Sequence, residues 1–182
     1  MDLYREEYES PVGIVYVVSD GTSLRAVDFE GYEERMHRLL ARHYGHYTLH
    51  SSGGRSDAMS RLAEYFAGNL QAVDDVAVST NGTEFQKQVW AALRGIPAGT
   101  TVSYGTIADR IGRPAACRAV GLANGSNPIG IVVPCHRVIG ANQGLTGYGG
   151  GIERKQWLLE HEGVVLATRS TPMSNPEDAR RR

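Results

Sequence analysis

A β-hairpin is predicted where two short apolar runs flank a turn near the start of the chain. Residues 14–18 and 24–29 are rich in β-branched and other apolar side chains, which favour extended backbone. The sequence Ser-Asp-Gly-Thr at 19–22 lies between them and is typical of a turn. The first element of the fold is therefore expected to be a pair of antiparallel strands.

Two helices are predicted to follow the hairpin. Apolar residues recur at helical spacing within 32–43 and again after a loop at 51–54, and the second helix is expected to end at Gly68. The residues on the two apolar faces are Met36, Leu39 and Leu40, then Met59, Leu62 and Phe66. No phosphate-binding glycine motif, metal-ligand spacing or nucleophile elbow occurs before residue 80. This half is interpreted as a scaffold.

The second half opens with the capping-box sequence Thr-Glu-Phe-Gln at 83–86. The Thr hydroxyl and the Gln side chain can satisfy the free backbone amides at the start of a helix. Phe85, Val89 and Leu93 fall four residues apart and predict a stripe that faces the core. Gly95 is expected to end this helix.

A helix–turn–helix is predicted next, after a short extended piece at 101–102. Ser103 can cap a helix that runs to Ile111, the sequence Gly-Arg-Pro at 112–114 breaks it, and a second helix is expected over 115–123.

The second of these helices has few side chains that could read DNA bases. It consists mainly of Ala and Gly, with Arg118 as its one long cationic group and Asn124 near its end. So slim a helix can bring its backbone close to DNA, which suits contact with a narrow groove better than base-edge readout. An ordinary buried helix packed through small residues explains this composition equally well.

Composition and charge divide the chain near residue 80. The chain has 182 residues and a net charge of −1, but residues 1–80 carry 7 basic and 13 acidic side chains, whereas 81–168 carry 8 and 5. The second half is the one that could lie against phosphates, although solvated faces also give such imbalances. We expect one domain at 1–80 and a second at 81–168. The tail at 169–182, which contains Pro, Ser and Asn, is expected to be disordered. No apolar run is long enough for a membrane span and no signal peptide is seen, so a cytoplasmic location is expected.

The two cysteines exclude a disulfide framework and a thiolate-rich zinc site. Cys117 and Cys135 are the only cysteines, so a cysteine with a functional role is expected to act as a free thiol, and no metal is expected. Cys135 follows an apolar run and Pro134, with His136 beside it and Arg137 next.

A nucleophile is one interpretation of this segment. Cationic neighbours lower the pKa of a thiol, and the thiolate is the reactive form. His136 could take the proton, and a carboxylate that orients the imidazole could be Glu162 or Glu160, at the end of a helix predicted over 152–161. An inert buried cysteine is the alternative, and a lone Cys-His pair does not exclude it.

The segment Pro-Cys-His-Arg-Val at 134–138 resembles the acceptor motif of the O6-alkylguanine-DNA alkyltransferase family, and within it the bacterial Ogt type. Further elements similar to the family occur in family order over residues 83–163. They are Thr83-Glu84-Phe85-Gln86 with Val89-Trp90, Ser103-Tyr104-Gly105, Arg118-Ala119-Val120-Gly121, Asn127-Pro128, Gly147-Tyr148-Gly149-Gly150-Gly151 and Trp157-Leu158-Leu159-Glu160-His161-Glu162-Gly163. The hairpin and residues 65–68 extend the resemblance more weakly.

The resemblance implies an α/β (α+β) fold. It would combine an N-terminal, RNase H-like β-sheet with helices and a C-terminal, helical, winged helix–turn–helix-like domain for DNA binding and catalysis. It implies double-stranded DNA with an alkylated guanine as partner, no cofactor, and a monomer whose cooperative assembly on DNA stays open.

The resemblance also implies catalytic roles. Cys135 would accept the alkyl group from a base rotated out of the duplex, since the O6 substituent cannot be reached inside the stack. His136 would act as base, through a water, with Glu162 holding its other nitrogen. Tyr104 would crowd the target phosphate and protonate the departing guanine. Arg118 would fill the space that the base leaves.

The remaining roles concern support and contact. Asn127 would brace the helix–turn–helix against the turn that carries Cys135, Tyr148 would form a pocket wall, and the carbonyls of Cys135 and Val138 would read the guanine amino group. Gly149 stands where some relatives carry a Ser that donates to the substrate, which suggests a looser pocket that admits bulkier adducts or O4-methylthymine. The small residues on the DNA-facing helix, with the Asn near its end, would contact DNA: Ala119, Gly121 and Asn124.

Two other function classes remain open from the sequence. A sensor that binds alkylated bases without repairing them shares this architecture but lacks the acceptor thiol, whereas Cys135 is present. A Cys-His hydrolase would need an oxyanion hole and regeneration of its thiol, and nothing in the sequence specifies a peptide substrate.

Overall fold

The computed structural model describes residues 1–166, and the predicted tail at 169–182 lies outside them. The N-terminal half is built on a four-stranded sheet with strand order β3-β2-β1-β4. Its strands are β1 Asp2–Ser10, β2 Gly13–Ser19, β3 Leu24–Phe29 and β4 Thr48–Ser51. β1, β2 and β3 pair antiparallel, and β4 adds to β1 in parallel. The predicted hairpin is thus β2 and β3, and two strands that the apolar pattern did not show, β1 and β4, extend the sheet beyond β2.

Two helices pack on this sheet close to where the apolar pattern predicted them. They are α1 Glu33–Tyr44 and α2 Asp57–Phe66. The side chain of Ser56 accepts a hydrogen bond from the amide of Met59 and so begins α2. Ser51 belongs to β4 and not to the predicted loop, because its backbone pairs in register with Arg5 of β1.

The C-terminal half is mainly helical. Its elements are α3 Glu84–Arg94, β5 Val102–Ser103, α4 Tyr104–Arg110, α5 Cys117–Gly125, β6 Val138–Ile139 and α6 Ile152–His161. The capping box at Thr83 is confirmed, since its side chain accepts from the amide of Gln86 while the Gln86 side chain accepts from the amide of Thr83. A cap of this kind stabilises a helix by about 1 kcal/mol.

The predicted helix–turn–helix is formed by α4 and α5. Ser103 caps α4, as expected, by accepting from the amide of Thr106. The predicted second helix is divided, because Pro114 opens a 3₁₀ turn at Pro114–Ala116 and the α-helix itself begins at Cys117. The pair of short parallel strands β5 and β6 joins the start of α4 to the segment that carries Cys135.

One large hydrophobic core spans both halves. Val27, Phe29, Leu62 and Tyr65 of the N-terminal half belong to the same buried cluster as Val89, Leu93, Ile129 and Leu158. The edge strand β3 adds to the contact between the two halves, because it forms isolated parallel β-bridges with residues 78 and 129. The fold is therefore mixed α/β, and its N-terminal half packs directly under the segment that leads to Cys135. No helix among residues 1–166 is long and apolar enough to cross a membrane.

Candidate active site

Cys135 lies at the end of a buried segment that the edge of the sheet holds in place. Val27 of β3 donates its amide to the carbonyl of Pro128 at 3.0 Å and accepts from the amide of Gly130 at 2.9 Å. The chain then stays buried to Cys135, which begins a 3₁₀ turn at Cys135–Arg137. We call residues 127–138 the acceptor turn.

Asn127 fixes this turn from inside. Its Nδ2 donates to the carbonyl of Val133 at 2.8 Å and to the Sγ of Cys135 at 3.0 Å, and its Oδ1 accepts from the amide of Ile129 at 3.0 Å. Between these contacts Ile131 has a φ of 65°, which is strained for a β-branched residue. The amide of Asn127 therefore holds a conformation that the backbone alone disfavours, and it places a donor on the sulfur.

His136 and Glu162 are brought together as the sequence predicted. The Nε2 of His136 lies 2.8 Å from Oε1 of Glu162, and both side chains are fully buried. Glu160, the alternative carboxylate, is exposed and accepts from Gln156 instead. Because an ionised carboxylate accepts only, Nε2 carries the proton and Nδ1 keeps its lone pair. That Nδ1 is buried without a hydrogen-bond partner among the described residues.

Glu162 is held ionised by four donor groups, which are Nε2 of His136, two nitrogens of Arg137 and the hydroxyl of Tyr65. Arg137 donates to both of its oxygens, from Nε at 2.9 Å and from Nη2 at 2.9 Å, and Tyr65 donates its hydroxyl at 2.8 Å. Burial would raise the pKa of Glu162, but the hydrogen bonds that it accepts from His136 and Arg137, together with the charge of Arg137, outweigh burial and hold its pKa far below the ordinary range. Burial lowers the pKa of His136, against the opposing effect of Glu162, so the imidazole is neutral.

The thiol of Cys135 is protonated at rest because it is buried. Burial raises its pKa, and the Asn127 hydrogen bond and the charges of Arg35 and Lys155 oppose that rise. The sequence assigned this role to Arg137. In the structure Arg137 is turned away, onto Glu162 and the carbonyl of Ile96, so the cations that favour the thiolate are two residues that sequence reasoning did not identify.

Tyr148 lies beside the acceptor turn, and Val138 is the last residue of that turn. The ring of Tyr148 meets that of His136 edge-on, with centroids 6.5 Å apart, and its buried hydroxyl lacks a partner among the described residues. Burial keeps the pKa of this phenol well above its ordinary value. The carbonyl of Val138 accepts from Nζ of Lys155 at 2.6 Å, and the same amine reaches the carbonyl of Thr146 at 3.2 Å. The pKa of Lys155 is lowered to about 8, because the effect of burial outweighs the electrostatic interaction with Cys135, which acts to raise it.

Tyr104 and Gly121 form the contact between the two helices of the motif. The hydroxyl of Tyr104 lies 2.8 Å from that of Thr146. A Cβ at Gly121 would lie 3.9 Å from the Tyr104 ring, an ordinary van der Waals distance, so the ring lies against α5 at this position. On the outer surface of α5 the exposed residues include Arg118, Ala119 and Leu122, of which Leu122 is 78% exposed. We call this surface the α5 face.

Asn124 is a correction to the predicted DNA contacts. It is 5% exposed and points inward, where its Nδ2 donates to the carbonyl of Cys135 at 3.4 Å. The residue lies about 120° around α5 from the exposed Arg118, because the two are six positions apart on a helix with 3.6 residues per turn. A contact between the Asn124 side chain and DNA does not fit this placement.

Three residues of the site went unnoticed in the sequence. Lys155 gave a signal, because it occupies an apolar position of α6, three residues before Leu158. Tyr65 lies on the apolar face of α2, where nothing indicates that its hydroxyl meets a carboxylate 97 residues away. Arg35 lies in the first turn of α1, where the sequence pattern alone predicts a solvent-exposed charge. Its contacts become visible only in the three-dimensional structure.

Fold and site together define a helix–turn–helix protein with one buried thiol beside a histidine and a carboxylate. Two family models match the chain. Residues 3–80 match the ribonuclease-like domain of 6-O-methylguanine DNA methyltransferase, and residues 84–164 match its DNA-binding domain.

Individual relatives cover most of the chain. A methylated-DNA–protein-cysteine methyltransferase of Salmonella typhimurium is 52% identical over 90% of this chain and 98% of its own length. One of Methanosarcina acetivorans is 44% identical over 88% of this chain and 99% of its own. The crystal structure of Mycobacterium tuberculosis OGT in complex with DNA superposes with a TM-score of 0.74, at 46% identity, over 89% of this chain and 92% of the other. The chain belongs to the O6-alkylguanine-DNA alkyltransferase family.

Proposed function

We propose that this chain repairs double-stranded DNA by moving an alkyl group, chiefly methyl, from O6 of guanine onto Cys135. The observation that carries the proposal is a single buried thiol, Cys135, whose sulfur accepts a hydrogen bond from Asn127 and which adjoins a neutral histidine with a free nitrogen. Relatives named methylated-DNA–protein-cysteine methyltransferases and a relative crystallised with DNA support it.

The chemistry begins with loss of the thiol proton. Nδ1 of His136 takes it, through a bridging water, while Glu162 stabilises the imidazolium that forms. The sulfur then attacks the methyl carbon, so that the S–C bond forms as the C–O6 bond breaks. The electron pair of that bond stays on the guanine, which needs a proton to become neutral. Tyr104 supplies this proton and regains one from solvent, while the imidazolium of His136 returns the thiol proton to solvent, so that protons and electrons balance without a cofactor.

Access to the sulfur requires that the base leave the duplex. Cys135 is 5% exposed, so an O6-methyl group stacked inside DNA cannot reach it. Arg118 stands exposed on the α5 face and enters the stack in place of the base, where its planar group can stack and donate hydrogen bonds. Ala119 and Gly121 let the helix backbone approach the minor groove.

Each molecule acts once. The product is a thioether, which water does not hydrolyse, so the thiol of Cys135 is not regenerated. The protein is consumed in proportion to the lesions that it repairs. It works as a monomer in the cytoplasm, and O4-methylthymine is a second substrate.

The test is incubation with duplex DNA that carries tritium in the methyl group of O6-methylguanine. Repair predicts transfer of one label per protein molecule, found in the peptide that contains Cys135 and not in the one that contains Cys117. Binding without label on the protein would indicate a sensor. Absence of both binding and transfer from the reduced protein would contradict the proposal.

A further inference from the structure

Arg35 reaches from the N-terminal half into the acceptor site and makes three hydrogen bonds there. Its Nη1 donates to Oδ2 of Asp28 at 2.6 Å, and its Nη2 donates to the carbonyls of Asn127 at 2.9 Å and Gly125 at 3.1 Å. Asp28 is buried and lies at the end of β3, so the anchor is part of the sheet. Arg35 thereby joins the sheet, the last turn of α5 and the first residue of the acceptor turn.

The guanidinium of Arg35 also fills the space beside Gly149. A Cβ built at Gly149 would lie 2.5–2.7 Å from three atoms of the Arg35 guanidinium, far inside van der Waals contact. The end of an arginine side chain is flexible, but this one cannot move aside without giving up its bonds to Asp28, Asn127 and Gly125. Gly149 is therefore small because Arg35 occupies the neighbouring volume.

The next two glycines show the same close approach. A Cβ at Gly150 would lie 2.5 Å from the ring of Phe29, and one at Gly151 would lie 2.8 Å from the Tyr32 hydroxyl. By contrast, a Cβ at Gly147, two residues before Gly149, would meet nothing within 4 Å. The backbone after Tyr148 is thus packed closely against the N-terminal half, and this packing restricts its movement.

We propose that Arg35 and Gly149 act as one unit that sets the width of the alkyl pocket, with Arg35 as a positioning residue of the acceptor site. Arg35 holds both the acceptor turn, through Asn127, and the wall that carries Tyr148, through its packing on Gly149. The missing side chain at residue 149 does not enlarge the pocket, because the guanidinium takes its place. The inference rests on the proposed alkyl transfer, since it concerns the width of the same pocket.

The first measurement is a double-mutant cycle on protein stability. Gly149→Ala, Arg35→Ala and the double variant are compared by thermal melting, with Gly147→Ala as the matched control. Because an alanine at 149 displaces the guanidinium, the two single variants should lose similar stability and the double should lose little more. Contacting residues show such non-additive behaviour. Losses that simply add would overturn the proposal.

The second measurement separates pocket width from stability. Cys135 is alkylated in the folded protein by free O6-methylguanine and free O6-benzylguanine, and the benzyl-to-methyl rate ratio is taken. The variant Asp28→Asn/Arg35→Met avoids leaving a buried, unpaired carboxylate and keeps the apolar stem. We expect its ratio to rise about tenfold, the scale on which contacting residues couple, whereas Gly147→Ala leaves the ratio unchanged.

The two measurements fail in different ways. A variant that is only less stable lowers both rates together, and an unchanged ratio would overturn the role in pocket width. Failure of the wild-type protein to react with either base would contradict the proposed function instead. The melting cycle needs no alkyl transfer and tests the contact between Arg35 and Gly149 in either case.

Discussion

The acceptor turn and the α5 face lie a few residues apart in sequence and are built in opposite ways. In the acceptor turn every residue is buried, and Asn127 alone makes four short-range contacts that fix it. On the α5 face Arg118 and Leu122 stand exposed among small residues, and the guanidinium of Arg118 makes no hydrogen bond within residues 1–166.

The difference separates two physical tasks. Bond formation at a carbon atom needs the sulfur, the histidine and the carboxylate fixed in advance, since misplacement by about 1 Å can cost about 100-fold in rate. Contact with DNA has to tolerate any sequence around a lesion, which small residues and one long cation allow. Variants in the two regions should therefore fail in different assays.

The largest effect is expected at Cys135. Cys135→Ser should abolish alkyl transfer, because a hydroxyl is a much weaker nucleophile than a thiolate, while binding to duplex DNA persists. Cys117→Ser is the matched control and should retain transfer. Electrophoretic mobility shifts and mass spectrometry of the protein measure the two properties, and labelled Cys135→Ser protein would refute the assignment of the acceptor.

The next largest effect is expected at Glu162. Glu162→Gln should slow transfer roughly 100-fold, the usual range for losing support of a general base, because the carboxylate that orients His136 is gone. Glu160→Gln alters an exposed carboxylate two residues away and should react at the wild-type rate. Single-turnover rates on duplex substrate decide this, and equal rates for both variants would remove Glu162 from the mechanism.

A smaller and more selective effect is expected at Arg118. Arg118→Ala should slow repair of duplex DNA about tenfold, a fraction of the few kcal/mol spent on unstacking a base, and leave reaction with free O6-methylguanine unchanged. Arg61→Ala removes an exposed cation from the N-terminal half and serves as control. If the free base and the duplex slowed equally, Arg118 would not act in base extrusion.

The smallest effect concerns stability in acid. Burial lowers the pKa of His136 in the folded protein below its ordinary 6.5. As the pH drops through that value, the histidine of the unfolded chain takes up a proton before that of the folded chain does, so the free energy of unfolding falls. The pKa of Glu162 lies below its ordinary 4.5, so its contribution is complete above that pH and is lost below it.

Urea midpoints between pH 7 and pH 3 measure this loss. Glu162→Gln should flatten the part of the curve below about pH 4.5, where an unperturbed Glu titrates, and Arg118→Ala should follow the wild type. A Glu162→Gln curve as steep as the wild type in that range would show that another carboxylate is responsible.

The elements with strong periodicity were predictable, and those with one solvated face were not. The apolar stripes of α1, α2 and α3 and the caps at Thr83 and Ser103 are local signals. β1 is polar along one face and β4 has four mainly exposed residues, so neither forms an apolar run. Strands of that kind are specified by their pairing partners, which a local pattern does not contain.

For the site, the motif identified the reacting groups but not their supports. His136 and Glu162 were paired correctly because the resemblance supplied the partner. Arg137 was assigned to the thiol from its position next but one in the chain, whereas a 3₁₀ turn directs it to Glu162. Asn124 was assigned to DNA although its side chain faces inward. Contacts made by Arg35 and Tyr65 depend on how distant segments pack, which spacing alone cannot reveal.

The shared interior has a consequence for how this molecule can be taken apart. Since Phe29, Leu62 and Tyr65 are buried in one cluster with Val89 and Leu158, cutting the chain near residue 80 would strip apolar area from both fragments at once. We therefore expect the two halves to unfold together. Calorimetry of the intact protein should accordingly record one melting transition, and neither fragment made separately should keep a native structure.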